Sequence, residues 1–247
     1  MVRHVDFKER KEDILDLVVE SYIETTKPIG SSYLCSKHKL PYSSATVRNV
    51  LEDLEKEGFL SHLHTSSGRV PTKKGFKRYV ERLKKKEVID SHPMDLSQYH
   101  PPHDHVESAA NYTLDALAQI SGYTSMLVLS SPHEERIFFR GTRYMLEQPE
   151  FENIQRVRNL LYALEVQIDQ LQHLLASSYD EQVRILIGDE LGFDQICDCS
   201  LVLSGAHERG TNLTIGVLGP MRMDYERAIA AIYSMRNQMH RTFEGIV

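Results

Sequence analysis

Apolar residues recur at helical spacing over residues 7–25, where Ile14, Leu15, Val18 and Tyr22 share one face. Lys27-Pro28-Ile29-Gly30 ends that helix, because proline lacks a ladder donor and glycine favours a turn. Ser31 or Ser32 is expected to cap a short second helix running to about His38. After Pro41, Ser43 offers an oxygen to the free amides that open a third helix, and Gly58 closes it as the residue past its end. Within this helix Val47, Val50, Leu51 and Leu54 fall on one face and must pack inward. Ala45, Arg48, Asn49, Glu52 and Lys56 occupy the opposite face. Phe59–His64 alternates enough for a strand, and Ser66-Ser67-Gly68 suits a tight turn. A fourth helix then starts at Thr72 and turns Phe76, Tyr79, Val80 and Leu83 inward. Three helices, a strand, a small-residue loop and a closing helix follow the order of a winged helix-turn-helix.

The pattern changes over residues 88–106, where Pro93, Pro101, Pro102 and four histidines leave few apolar anchors, as in a linker. Beyond it the spacing predicts a helix over Glu107–Ser121 and strands over Thr124–Ser130 and Arg136–Arg140. A long helix is expected over residues 151–176, then strands over 183–187, 199–204 and 213–218. A last helix runs from a capping Asp224 to about Thr242. The chain therefore reads as α+β, with a winged-helix domain at 1–87, a linker at 88–106 and a mixed α/β domain with a small sheet at 107–247.

Charge sharpens that division. The chain of 247 residues carries a net charge of −6, yet residues 1–90 hold 18 Lys/Arg against 14 Asp/Glu. The remainder holds 11 against 21, and every lysine lies at or before Lys86. One half suits a polyanion and the other would be repelled by it. No apolar run reaches the length of a membrane span, and the N-terminus has no signal-peptide core, so a cytoplasmic protein is expected. Cys35, Cys197 and Cys199 read as reduced thiols, the latter two as buried structural residues.

A recognition helix enters the major groove by its first turns, which makes Ser44, Thr46, Arg48 and Asn49 the candidates for contact with bases or phosphates. Arginine can grip guanine O6 and N7 with two bonds, and asparagine can grip adenine N6 and N7. Taken alone, such a face is also what any solvated structural helix presents. The adjoining wing shifts the balance: Arg69 follows small residues and is expected to reach past the loop to a minor groove or a phosphate. Lys73, Lys74, Lys77 and Arg78 open the next helix, where cations do not suit the macrodipole but do suit a phosphate track.

Three stretches, "LDLVVESYIETTKPIGSSYL", "SSATVRNVLEDLEKEGFL" and "HTSSGRVPTKKGFKRYV", resemble the N-terminal domain of the bacterial heat-inducible transcription repressor family HrcA. The resemblance resumes at Gly141–Phe151 (GTRYMLEQPEF) and at Ile215–Tyr225 (IGVLGPMRMDY). It implies a repressor of chaperone operons that binds double-stranded DNA at an inverted-repeat operator, CIRCE, as a homodimer. It further implies a GAF-like effector domain with an inserted dimerisation subdomain, and support from the GroEL chaperonin. One departure stands out: only five residues separate Ser130 from Arg136, where full-length members carry a long stretch. A reduced GAF-like module is therefore expected.

For pairing of subunits, Ile154, Val157, Leu161, Leu164 and Ile168, continued by Leu171 and Leu175, step by three and four as in a heptad stripe. A single helix lying on its own sheet would show the same stripe. His92, His100, His103, His105 and Asp104 have ligand chemistry, but a loop without rigid support is a poor cage, so no metal and no cofactor is expected. No nucleophile elbow, phosphate loop or zinc-protease motif is present, and an enzyme is not expected. Two other readings stay open: a ligand- or metal-responsive regulator on the same scaffold, and a protein-interaction module whose winged helix docks a protein.

Overall fold

The structure is a computed structural model. It describes residues 2–62, 68–85, 94, 96–102, 105–178, 181–208 and 210–243, with backbone only at 2–6, 208 and 240–242. The chain divides into two compact units, Met1–Lys85 and Lys86–Val247. The expected wing tip Thr65-Ser66-Ser67, the far end of the 59–64 strand, and His92, His103 and Asp104 of the linker lie outside the described residues.

In the first unit, α1 (Val2–Thr25), α2 (Ser31–His38) and α3 (Ser44–Lys56) are followed by a ribbon of β1 (Leu60–Ser61) and β2 (Val70–Pro71), then by α4 (Lys73–Lys85). The core is the one the periodicity describes: Ile14, Leu15 and Val18 from α1, Val47, Val50, Leu51 and Leu54 from α3, and Phe76, Tyr79, Val80 and Leu83 from α4 are all buried. Each such side chain contributes about 1.5–3 kcal/mol of transfer free energy. Caps fix the helix ends. Ser43 Oγ accepts from the Thr46 amide at 3.1 Å, and Gly58 leaves α3 with φ +78°. The Thr72 hydroxyl accepts from the Gly75 amide (3.2 Å) and donates to the Gly58 carbonyl (2.7 Å), joining the start of α4 to the end of α3. One cap differs from expectation: α2 starts from Gly30, without a side-chain cap bond. Ser31 and Ser32 are spent elsewhere, since both hydroxyls face Ser44 Oγ, at 2.9 and 3.2 Å.

Among the described residues the ribbon has two residues on each side, and backbone contacts from outside hold it. Ile29 and Arg69 exchange both amide-to-carbonyl bonds at 2.8 Å. A Cβ on Gly68 would lie 2.6 Å from the Ile29 carbonyl carbon, and one on Gly75 only 2.3 Å from the Phe59 carbonyl oxygen. Glycine is needed at both positions by close backbone approach, not by backbone angle.

In the second unit α5 (Val106–Ser121), β3 (Thr124–Ser130), β4 (Glu135–Arg140), α6 (Thr142–Leu146), α7 (Ile154–Glu165) and α8 (Ile168–Ala176) come first. They are followed by β5 (Arg184–Ile187), β6 (Cys199–Glu208), β7 (Thr211–Pro220) and α9 (Tyr225–Phe243). Among the described residues the strands form one antiparallel sheet in the order β4-β3-β7-β6-β5. Met126, Val128, Leu201, Leu203 and Leu218 meet Leu160, Leu164, Leu171 and Leu175 of α7 and α8 on one face. Helices α5 and α9 pack against β3, β4, β6 and β7 with the intervening residues. Both faces are thus covered, which is why β3 and β7 are almost continuously buried instead of alternating.

Three expectations are corrected here. The long helix is two helices, broken at Val166 and Gln167. With the break, Leu160 and Leu164 of α7 and Leu171 and Leu175 of α8 all reach the same core. Second, Cys197 is exposed; it sits in the turn before β6, and only Cys199 is buried. Burial pushes the Cys199 thiol up to about 12. Third, part of the expected linker is fixed to this unit. The Met94 amide donates to Ser234 Oγ (3.0 Å), and the Tyr99 hydroxyl lies 2.6 Å from Thr113 Oγ1. The gap noted at Ser130 is closed by a hairpin: Ser130 pairs with Glu135, and the Ser131 amide donates to the Glu134 carbonyl at 2.9 Å.

Candidate nucleic-acid interface

Helix α3 has two chemically different faces. Its buried stripe fixes the rotation of the helix, so Ala45, Arg48, Asn49, Glu52 and Lys56 are exposed. Among the described residues Arg48 and Asn49 have no hydrogen-bond or ionic partner, which leaves both forks free for a ligand.

The remaining expected contact residues are engaged within the unit. Ser44 Oγ ties the start of α3 to Ser31 and Ser32 of α2. Thr46 Oγ1 lies 2.9 Å from Ser43 Oγ, so it is part of the cap. Arg69 departs furthest from expectation. Instead of extending past the loop, its Nε lies 2.7 Å from Glu55 Oε2 on α3, and the side chain is 20% exposed. Lys74 donates to the Glu57 carbonyl at 2.7 Å and its ammonium sits 4.5 Å from the centre of the Phe59 ring. It satisfies the C-terminal end of α3, where a cation is favourable. Arg78 forks onto Glu12 of α1, with Nη2 at 2.6 Å from Oε1 and Nε at 2.9 Å from Oε2. Arg82 similarly joins Asp16 (2.8 Å) and Asp13 (2.7 Å). The run of cations on α4 is therefore in large part an α1–α4 ion-pair seam and not a free phosphate track. Lys73, half-exposed at the first position of α4, is the residue of that run closest in sequence to the ribbon.

A cleft of about 680 Å³ between α1 and α4 is bordered by Phe7, Phe59, Lys8, Lys11, Lys74 and Lys77. Two of the cations that line it are used in the same way, Lys11 on Glu57 and Arg78 on Glu12.

Sequence reasoning missed Glu55 and His62. His62 Nδ1 is in hydrogen-bond contact with Glu55 Oε1, while Arg69 takes the other oxygen. Burial pushes the Glu55 carboxyl up, but the His62 hydrogen bond and the Arg69 charge outweigh it and hold the group below its ordinary value. The available signal was spacing: Glu55 follows Arg48 by seven residues and returns to the same face of α3.

In the second unit the two conspicuous segments of the sequence meet. Arg222 Nε lies 2.5 Å from Glu150 Oε1, and Nη2 lies 3.0 Å from both Glu150 Oε2 and Gln148 Oε1. The Tyr123 hydroxyl accepts from the Asp224 amide at 2.9 Å, and buried Tyr225 donates to the Met221 carbonyl at 2.6 Å. Of the expected pairing residues, Leu164 is buried in the unit's own core and Val157 packs against it. Ile154 and Leu161 remain exposed, joined by Tyr162 and Val166, which the heptad reading had not included. Among the described residues no group of three His, Cys, Asp or Glu could hold a metal ion, and no helix is long and apolar enough to cross a membrane.

Known proteins place this chain clearly. A solved structure described as a hypothetical protein at 2.2 Å resolution shares the fold, with a TM-score of 0.80 over 95% of this chain and 98% of that one, at 17% identity. The heat-inducible transcription repressor HrcA of Desulforamulus reducens is 27% identical over 341 aligned positions, covering 97% of this chain and 98% of that protein. The repressor of the same name from Oceanobacillus iheyensis is 26% identical over 337 positions, covering 96% and 97%. Alignments longer than the 247-residue chain mean that these relatives carry residues where this chain has none. The model of the HrcA protein C-terminal domain matches residues 95–229, more than half of the chain, and the chain belongs to the HrcA family.

Proposed function

We propose that this protein is a transcriptional repressor of heat-shock genes that binds double-stranded DNA through a winged helix in its first unit. On this reading residues 1–87 are the DNA-binding domain and α3 is its recognition helix. The ribbon is the stem of the wing, and the second unit is a reduced GAF-like effector domain. The observation that carries it is the state of Arg48 and Asn49: exposed, unpartnered, and held outward by the buried face of the same helix. Those are the two side chains able to read guanine and adenine by paired bonds. Ser44 and Thr46 shape the tip of that helix, and Lys73 supplies a phosphate contact.

One winged helix reads half of an inverted repeat, so the protein acts as a homodimer, in the cytoplasm, on a CIRCE-type operator. Occlusion of the promoter is the mode of repression, and the GroEL chaperonin is the partner that the family resemblance supplies. The shortened effector domain still folds a continuous five-stranded sheet, with a hairpin at Ser130–Glu135 in place of a long insertion. Repression and release must work without that insertion.

The test is a gel-shift titration on the inverted-repeat operator and on a scrambled duplex, at two salt concentrations and at normal and heat-shock temperatures. Operator-selective binding that weakens with salt and fails on heating supports the repressor. Binding to neither duplex, with chaperonin present as well as absent, removes the operator assignment. Binding unaffected by salt would favour protein docking, because phosphate contacts release counterions.

A further inference from the structure

We propose that Glu55 is the positioning residue of the wing: its carboxylate holds both stems of the ribbon, at His62 and Arg69, against α3, and Arg69 serves DNA binding through Glu55 instead of entering a groove. The inference rests on the DNA-binding reading above.

The ribbon itself cannot set the direction of its loop. Among the described residues it has two residue pairs, Leu60 with Pro71 and Ser61 with Val70, and so short a ladder is marginal alone. Two further attachments lie immediately on its loop side. One is the backbone exchange between Ile29 and Arg69, with Gly68 packed against Ile29 too closely for any side chain. The other is Glu55, whose two oxygens take one stem each, His62 following β1 and Arg69 preceding β2. A residue on the recognition helix thus fixes the wing's departure from both sides.

The charge logic agrees. Glu55 lies two turns beyond Arg48 on the same face of α3, so a bare carboxylate there would confront the phosphates beside the groove. Pairing with Arg69 removes that repulsion and uses the guanidinium doing so. The carboxyl is held below its ordinary value, so it stays ionised at neutral pH and the contact persists. An arginine with a fixed backbone and its Nε paired to Glu55 acts as a strut.

The experiment is a double-mutant cycle of Glu55→Gln and Arg69→Gln on operator and scrambled DNA, with amide exchange at Ile29 and Arg69 read without DNA. Each single change is expected to lower operator affinity by tenfold or more and to shrink the operator-over-scrambled ratio. The double variant should be no worse than either single one. Exchange at both amides should quicken in Glu55→Gln while the melting temperature of the unit holds. The proposal is overturned if Arg69→Gln loses the same factor in the Glu55→Gln background as in the wild type, since Arg69 then touches DNA itself. Unchanged amide exchange overturns it as well. If the wild-type chain binds no duplex, the DNA-binding reading fails first, and unchanged exchange with normal wild-type binding removes the strut alone.

Discussion

Arg222 grips Glu150 through two nitrogens, at 2.5 and 3.0 Å, and so joins the Met221-Arg222-Met223-Asp224 turn after β7 to the Gln148-Pro149-Glu150-Phe151 turn before α7. The arginine is 8% exposed, and Gln148 completes its shell. Removing the carboxylate strands a buried guanidinium, whereas an apolar replacement of both partners does not. Glu150→Ala should destabilise the second unit by about 2–3 kcal/mol. Arg222→Met combined with Glu150→Ala should recover part of that loss. Urea unfolding followed by circular dichroism checks both, and a Glu150→Ala midpoint equal to the wild type would show the pair to be idle.

Arg48 and Asn49 should behave in the opposite way. Exposed and unpartnered, each can be cut to alanine with a stability change within about 0.5 kcal/mol. On the proposed reading each base-gripping pair contributes about 1–3 kcal/mol of discrimination. Arg48→Ala or Asn49→Ala should therefore lower the operator-over-scrambled ratio roughly tenfold or more while the melting curve stays in place. Equal losses on both duplexes would assign the residue to phosphates instead.

Lys73 and Lys74 are neighbours with different roles. Lys73→Ala is expected to weaken binding to all DNA and to reduce the salt slope by about one. Lys74 donates to the Glu57 carbonyl and covers the Phe59 ring, so Lys74→Ala should lower the melting temperature of the first unit and leave the salt slope alone. Reversal of these two signatures would return Lys74 to the phosphate track.

Local features of this fold were legible because their causes are local. The α3 stripe, the Ser43 cap and the Gly58 exit each depend on residues within one or two turns. The face carrying Arg48 and Asn49 follows from the same periodicity. What the sequence concealed was long-range pairing. Nothing near Arg69 indicates that Glu55 will take it, and nothing near Arg78 or Arg82 points to Glu12, Asp13 and Asp16, which lie more than sixty residues earlier. A cation meant for phosphate and one meant for a carboxylate read alike until the helices are docked. The break at Val166 was hidden for another reason: the three-four spacing continues across it, and no proline or glycine marks it.

Acid should loosen the first unit along the α1–α4 seam. Burial pushes the Glu12 carboxyl up, but hydrogen bonds from Arg78 and the charges of Arg78, Arg82 and Lys8 outweigh it, leaving the folded-state value below the ordinary 4.5. As pH falls the unfolded chain takes up this proton first, so the stabilisation is full above about 4.5 and is lost as pH drops through the folded value. Glu12→Gln should lower the melting temperature at neutral pH and flatten its decline below pH 4.5. Parallel melting curves for the two proteins across that range would exclude Glu12 as the source of acid sensitivity.

The exposed part of α7 supplies the last prediction. Ile154, Leu161 and Tyr162 of α7, and Val166 just past its end, are 65%, 37%, 46% and 63% exposed, while Leu160 and Leu164 are buried in the core. On the proposed homodimer reading, a chain shorter than its relatives needs a surface for pairing, and these residues are the apolar ones left uncovered on and just after α7. Ile154→Asp with Val166→Asp should shift the sedimentation profile from dimer to monomer and leave the melting temperature nearly unchanged, since neither side chain is in the core. Leu164→Ala should do the reverse, keeping the dimer at high concentration while costing about 2–5 kcal/mol of stability. A double aspartate variant that remains dimeric would move the interface off α7, and with it the idea that this helix took over pairing when the insertion was lost.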